Sequence, residues 1–598
     1  NMFIFDSQSD FFRNPQGAVS TNRQIELKIY VKRTLTQKPV IRIEKRYDYE
    51  NHLYKEITTE WIGTEKAYDL YKGTFTIKDP GQYYYKFILD EETESQTYEL
   101  LTYAENYTTP RWIKGGIIYQ IFVDRFHKDK ILKKNRDITI REDWGGIPDY
   151  LPDEEGEIKN NDFFGGNLHG IQDKLPYLAD MGVIAIYLSP VFDAFSNHKY
   201  DTGNYFAVDE MFGGEEALIE LCKKAESYGI GIILDGVFSH TGADSIYFNR
   251  YGNYNSTGAY QSQSSPYYSW YIFNKWRDDY ACWWGIKTLP AVDKDCRDYV
   301  DFIAGESGVL KYWQKRGIMG WRLDVADELP NNFIEKIRLA VKEQDTEAYL
   351  VGEVWEDAAN KFSYGKLKEY FCGKQLDSVI NYPLRTAIID YVKTADCELL
   401  HSTMNFITEK YPPQAVNCLM NILGTHDTER ILTVLGCAEI PEKKDERATY
   451  KLDINELKEG IHLLKIASLL QFTLPGIPCV YYGDEAGVEG FEDPFNRQCF
   501  PWEKENTEIL NHYKALSKLR KNPLFAEGKY RCLIHDTKVF AFERYDNDNK
   551  IAIAVNMSDE TVTLNFKETI KQYSDNSTGN SFNLDSGKYL ILYNSKKF

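Results

Sequence analysis

What this sequence lacks narrows its function early. No run of about 18 apolar residues occurs, so no membrane span is expected. Basic residues are outnumbered: 71 Lys and Arg face 90 Asp and Glu, for a formal net charge of −19. A phosphate backbone needs a basic surface, as does an anionic lipid surface, so neither nucleic acid nor membrane is an expected partner. Cysteine is sparse. Its ten residues are scattered singly with no C-x-x-C pair, which fits reduced thiols better than a disulfide framework. The opening NMFIFDSQSDFF has no basic stretch ahead of an apolar one. No signal peptide is expected from it, and the expected location is cytoplasmic. Neither H-E-x-x-H nor H-x-E occurs, so no catalytic metal and no required cofactor is expected.

What is present is 598 residues, long enough for several cores, with 44 Tyr, 32 Phe and 11 Trp. Flat rings suit sugar faces, and they suit ordinary cores as well. Residues 1–108 read as all-β. RQIELKIYVKR, GTFTIKD and GQYYYKFILDEE alternate in strand fashion between Gly, Pro, Asn and Asp. Residues 521–598 repeat that texture in KVFAFERY, KIAIAVNM and TVTLNF, and both ends read as β-sandwiches. Residues 109–520 differ: eight short apolar strands alternate with helical stretches, the mark of parallel βα units. The strands are expected at 116–123, 183–190, 231–240, 317–325, 349–355, 378–384, 418–427 and 477–485. Eight strands of one type predict a TIM (β/α)8 barrel. The third and fourth are too far apart for a simple loop, so a small irregular subdomain is expected at about 241–296.

Nearly every barrel strand ends in a polar residue. GWRLDVADE (320–328) places Arg322 and Asp324 on one face of a strand, because side chains at i and i+2 point the same way. The other ends carry Asp235 and His240, Glu353, His426 and Asp427, and Asp484 and Glu485. In a (β/α)8 barrel the C-terminal strand ends meet at one mouth, where active sites sit. A carboxylate beside a guanidinium stays ionised, which suits Asp324 to nucleophilic attack. A carboxyl packed on an indole, as Glu353 is with Trp355, holds its proton more readily and suits a general acid. Such a pair matches retaining glycoside hydrolysis. Asp427 is then expected to favour a distorted sugar ring, with His240 and His426 donating to sugar hydroxyls as neutral imidazoles.

GVFSH, GWRLDVADE, VGEVW and LGTHDTER, in that order and at these strand ends, resemble the four sequence regions of the α-amylase superfamily of glycoside hydrolases. NHKYDTGNYF (197–206), FFGGNLHGI (163–171) and YYGDEAG (481–487) resemble its accompanying segments. The domain order is similar to that of the neopullulanase, cyclomaltodextrinase and maltogenic-amylase branch, and the N-terminal domain resembles its starch-binding-like module. The resemblance implies Asp324 as nucleophile, Glu353 as acid/base and Asp427 as transition-state stabiliser. It implies sugar contacts from Arg322, His240, His426, Tyr200 and His198, with Trp355 walling the next subsite and Asp235 bracing the arginine. CWWGIKTLP (282–290) resembles the segment that supplies aromatic platforms, through Trp284 or Trp283, either of which is equally readable as the insert's only core. Structural calcium is not favoured: Ser239 stands where many relatives carry Asn, and the loop after strand one lacks a dense Asp/Asn/Gly run. Ala326-Asp327-Glu328 stands where cyclomaltodextrinase-like relatives commonly have Ala-Asn-Glu, a departure on the acceptor side.

The expected activity is hydrolysis of α-1,4 links in malto-oligosaccharides, pullulan, cyclodextrins or soluble starch with retention, the partner being an α-glucan oligosaccharide. A homodimer is possible in this branch. Rival readings are a glucan transglycosylase, an α-1,6-specific glucosidase and a non-catalytic α-glucan-binding protein.

Overall fold

Eight short runs of Ile, Leu, Val, Tyr and their neighbours form parallel strands buried along their whole length, as a sheet covered on both faces requires. The computed structural model describes residues 2–33 and 37–594. Numbered within the barrel, the strands are β1 (Ile118–Ile121), β2 (Ala185–Leu188), β3 (Gly231–Gly236), β4 (Gly320–Leu323), β5 (Tyr349–Gly352), β6 (Ser378–Val379), β7 (Met420–Ile422) and β8 (Ile477–Tyr481). They pair in the order β6-β5-β4-β3-β2-β1-β8-β7, and an isolated parallel bridge from Ile380 to Met420 joins the two ends of the row. The fold is the expected TIM barrel.

The strand expected at 378–384 is only two residues long. Asn381 ends it by accepting from the backbone N–H of Leu384 at 3.3 Å, and Pro383 sits in the first turn of the helix Tyr382–Thr394. An N-cap followed by proline outweighs the apolar run there.

Between β3 and β4 the chain forms an irregular lobe with its own aromatic core. Tyr247 stacks on Trp270 at 4.9 Å, and Phe248 meets Tyr280 at 4.8 Å. These rings leave Trp284 out, 81% exposed, so it is not the insert's only core. Below the lobe, the buried Lys199 ammonium donates to the carbonyls of Ala194 and Ser196 at 3.1 Å each and to Asp209 Oδ2 at 2.8 Å. Lys134, from the loop after β1, reaches the same carboxylate oxygen at 2.8 Å. These bonds fix the segment that carries His198 and Tyr200.

The N-terminal residues form two five-stranded sheets. In Ile25–Lys32 every second residue is buried, the period of a strand with one face on a core. This unit lies against the barrel through Arg13–Glu409 (3.3 Å), Lys410–Glu99 (3.1 Å) and Asp48–Lys366 (3.1 Å). The C-terminal residues form a single six-stranded hydrogen-bonded sheet. Phe540 and Phe542 join the main core from one face. On the other face Leu564 and Leu584, from the outer hairpin, pack with Ala541 and Ala554. One continuous ladder, irregular between Asn565 and Ile570, thus supplies both layers expected of a sandwich.

Candidate active site

At the C-terminal end of β4 lies one buried cation among three carboxylates. Arg322 Nη1 donates to Asp235 Oδ1 at 2.9 Å and to Asp324 Oδ1 at 2.7 Å, and its Nη2 donates to Glu353 Oε2 at 2.8 Å. The guanidinium is a planar fork of donors, so it holds the Asp324 and Glu353 carboxyls side by side. Asp235 also accepts from the Tyr187 and Tyr200 hydroxyls, each at 2.8 Å. The i, i+2 spacing read from the sequence gives the Arg322–Asp324 bond.

The charge balance corrects one expectation. Burial pushes the Asp324 carboxyl well above the usual carboxylate range; Arg322 pulls it down, while Glu353 and Asp235 push it up again. One guanidinium cannot offset three carboxylates, so the cluster retains a proton more readily than an isolated Asp–Arg pair. Arg322 is thus one of several influences on the Asp324 carboxyl, after burial.

Glu353 is held from two further sides. The backbone N–H of Val325 donates to Oε2 at 2.9 Å, and Trp355 Nε1–H donates to Oε1 at 2.9 Å. The indole is thus a hydrogen-bond donor to this carboxyl rather than an apolar wall, and its ring lies on Tyr382 at 3.7 Å, 15° from parallel. Val325 adopts φ 41°, ψ 62°, a left-handed conformation that a β-branched residue rarely takes. That geometry turns its N–H onto Glu353. Nothing in the residue types of this segment signals it.

The three histidines are neutral. Burial, with Arg497 next, lowers His198 to about 3, and burial lowers His240 to about 4. Burial, Arg497 and Arg322 hold His426 well below the ordinary imidazole range. His198 Nδ1 accepts from the Tyr200 backbone N–H at 3.0 Å. Its proton is therefore on Nε2, which has no protein partner among the described residues. His240 Nε2 donates to the Tyr200 carbonyl at 2.9 Å, and Ser239 Oγ lies 3.0 Å from its Nδ1. Gln120 Nε2 donates to His426 Nδ1 at 2.9 Å, which leaves His426 Nε2 to donate to the Tyr200 hydroxyl at 2.8 Å. His240 and His426 thus hold Tyr200, whose ring stacks on His426 at 5.2 Å.

A cavity of about 1470 Å³ opens over this cluster. Asp324, Glu353, Asp427, His198, Tyr200, His240, His426, Trp355 and Trp284 all line it. Arg322 does not; it lies beneath the floor. Asp484 and Glu485, read as part of the mouth, are buried elsewhere. Asp484 pairs with Arg430 at 3.1 Å, and Glu485 accepts from Tyr119 and Tyr177 at 2.9 Å each. Asp427 lies 3.3 Å from His426 Nε2 and 3.6 Å from Arg497 Nη2. Arg497, also paired with Asp493 at 3.2 Å, lines the cavity and was not marked by any strand end. At the two places read for calcium, Ser239 Oγ lies on His240 Nδ1 at 3.0 Å, and Asp129 Oδ1 accepts from Asn167 at 2.9 Å.

The catalytic-domain model of the α-amylase family matches residues 120–523. The amylopullulanase of Thermoanaerobacterium saccharolyticum is 34% identical over 99% of this chain and 50% of its own length. The chain spans only 34–50% of the amylopullulanases it matches. The cyclomaltodextrinase of Thermoanaerobacter pseudethanolicus is 32% identical over 88% of this chain and 82% of its own. Among solved structures, the type III pullulan hydrolase from Thermococcus kodakarensis superposes with a TM-score of 0.70 at 26% identity, covering 99% of this chain and all of the other. Matched through most of its barrel, and over most of a relative's full length, the chain belongs to the α-amylase family.

Proposed function

We propose that this protein is a retaining α-glucan hydrolase acting on α-1,4 links of malto-oligosaccharides, pullulan, cyclodextrins or soluble starch. The observation that carries the reading is the Arg322 fork, which holds Asp324 on one nitrogen and Glu353 on the other at the floor of the cavity. A retaining mechanism needs two carboxyls about 5–5.5 Å apart, and a shared guanidinium keeps them close. Asp324 attacks the anomeric carbon and forms a glycosyl ester while Glu353 gives its proton to the leaving oxygen. Glu353 then takes a proton from water, which breaks the ester and restores the α configuration. Asp427 and the free Nε2–H of His198 bond hydroxyls of the sugar at the cleavage point, and Tyr200 faces its ring. Relatives named amylopullulanase, cyclomaltodextrinase and pullulan hydrolase support an α-glucan substrate. The ten cysteines are unpaired thiols, which supports a reducing compartment such as the cytoplasm.

The test is hydrolysis of maltoheptaose, pullulan and β-cyclodextrin by wild type and Asp324→Asn. Wild type cleaves at least one of them to shorter sugars, and the variant loses at least about 10³-fold in kcat. Near-normal activity of Asp324→Asn removes the nucleophile assignment. Longer or re-linked chains as the main products point to transfer instead.

A further inference from the structure

A second cavity of about 720 Å³ lies between the barrel rim and the N-terminal β-domain. It shares Asp327, Glu328, Ser363 and Tyr364 with the wall of the catalytic cavity, so the two spaces meet at one saddle. The saddle is a hairpin, Phe362–Ser363 paired with Lys366–Leu367. Its two turn residues, Tyr364 and Gly365, have φ 50° and 75°, the pattern of a two-residue hairpin turn that favours Asn and Gly. A tyrosine in that conformation is costly, and its ring is 74% exposed. Its hydroxyl donates to Glu328 Oε1 at 2.6 Å. The hairpin is clipped to the N-terminal domain by Asp48, which accepts from Leu367 N–H at 3.0 Å, and by Tyr49 against Phe362 at 4.9 Å. Across the second cavity stands Tyr47, 49% exposed, its ring braced by His52 at 5.0 Å and Lys45 Nζ at 5.4 Å.

Two points orient this space. In the proposed reaction Glu353 protonates the leaving group, so Trp355 beside it faces the leaving side of the substrate, and Glu328 lines the same cavity. The second cavity also carries as many basic as acidic side chains. That suits a neutral, hydroxyl-rich ligand rather than an anion, and two exposed tyrosines offer rings to sugar faces.

We infer that the leaving side of the catalytic cavity continues over the Tyr364–Glu328 saddle into the cavity walled by the N-terminal domain of the same chain. This extension binds the distal, reducing-end glucosyl units of long α-glucans. The inference rests on the proposed hydrolase reading. Its test compares kcat/KM on maltotriose and maltodecaose for wild type, Tyr47→Ala and Tyr47→Phe in the intact chain, with thermal unfolding confirming that all three fold. The ratio of the long to the short substrate falls about five-fold in Tyr47→Ala, the effect of one lost ring contact, and returns in Tyr47→Phe. An unchanged ratio, or an equal loss on both substrates, overturns the extension while leaving the hydrolase reading intact. A wild type that cleaves no α-glucan overturns both.

Discussion

Glu353 accepts from Arg322, Val325 N–H and Trp355 Nε1–H, and each donor is held by something else. Trp355 is held by its stack on Tyr382. Trp355→Phe keeps the stack and deletes one donor to an acidic group, a bond of about 1.5–3 kcal/mol. It is expected to lower kcat about ten-fold or more with little change in KM on maltoheptaose; a change confined to KM would make Trp355 only a subsite wall. At this scale strand-end position singled out Asp324, Glu353 and Asp427, and the NHKYDT resemblance singled out Tyr200; the structure brings all four to one cavity. The sequence was silent where conformation supplies the function. Val325 acts through a backbone N–H turned by a left-handed φ, and Arg497 arrives from a loop with no strand to place it.

The hairpin at 362–367 shows the same conflict at the scale of an element. Val325, Trp284 and Tyr364 all have φ of 41–50°, and all three line the catalytic cavity. Bulky residues in this region cost roughly 1–3 kcal/mol each and persist where function uses them. Tyr364→Asn, which suits the turn, is expected to raise stability by about 1 kcal/mol in urea unfolding while weakening hydrolysis of long substrates. Loss of stability would show that the Tyr364–Glu328 bond outweighs the backbone cost. The barrel strands were readable because a parallel sheet buried on both faces is written as continuous apolar runs. The sixth strand was overread because an apolar run does not distinguish a strand from the first turn of a buried helix; the Asn381 cap decided it.

Across the whole molecule, buried titratable groups oppose one another. Burial raises the Glu485 carboxyl from its ordinary 4.5 to about 7. The native state keeps a proton that the unfolded chain gives up, so this group's contribution is full below about pH 4.5 and is lost as the pH rises through about 7. Burial lowers His240 and His512 to about 4; their contribution is full above about pH 6.5 and is lost as the pH falls toward 4. Glu485→Gln removes the first effect. The variant is expected to gain on wild type by on the order of 3 kcal/mol between pH 4.5 and 7.5 in urea unfolding, and parallel curves would contradict this. Asp484 and Glu485 were read as part of the mouth because they end a strand of the barrel. Their burial against Arg430, Tyr119 and Tyr177 is a tertiary fact that no single segment carries. The docking of the N-terminal domain on the barrel rim is of the same kind, since it rests on pairs such as Asp48–Lys366, far apart in the chain.

The central claim is that Asp324 and Glu353, sharing one guanidinium, carry out a double displacement. Proton NMR of the first sugars released from maltoheptaose, recorded before mutarotation, tests it most directly. New reducing ends in the α configuration are predicted; new ends in the β configuration would contradict the account.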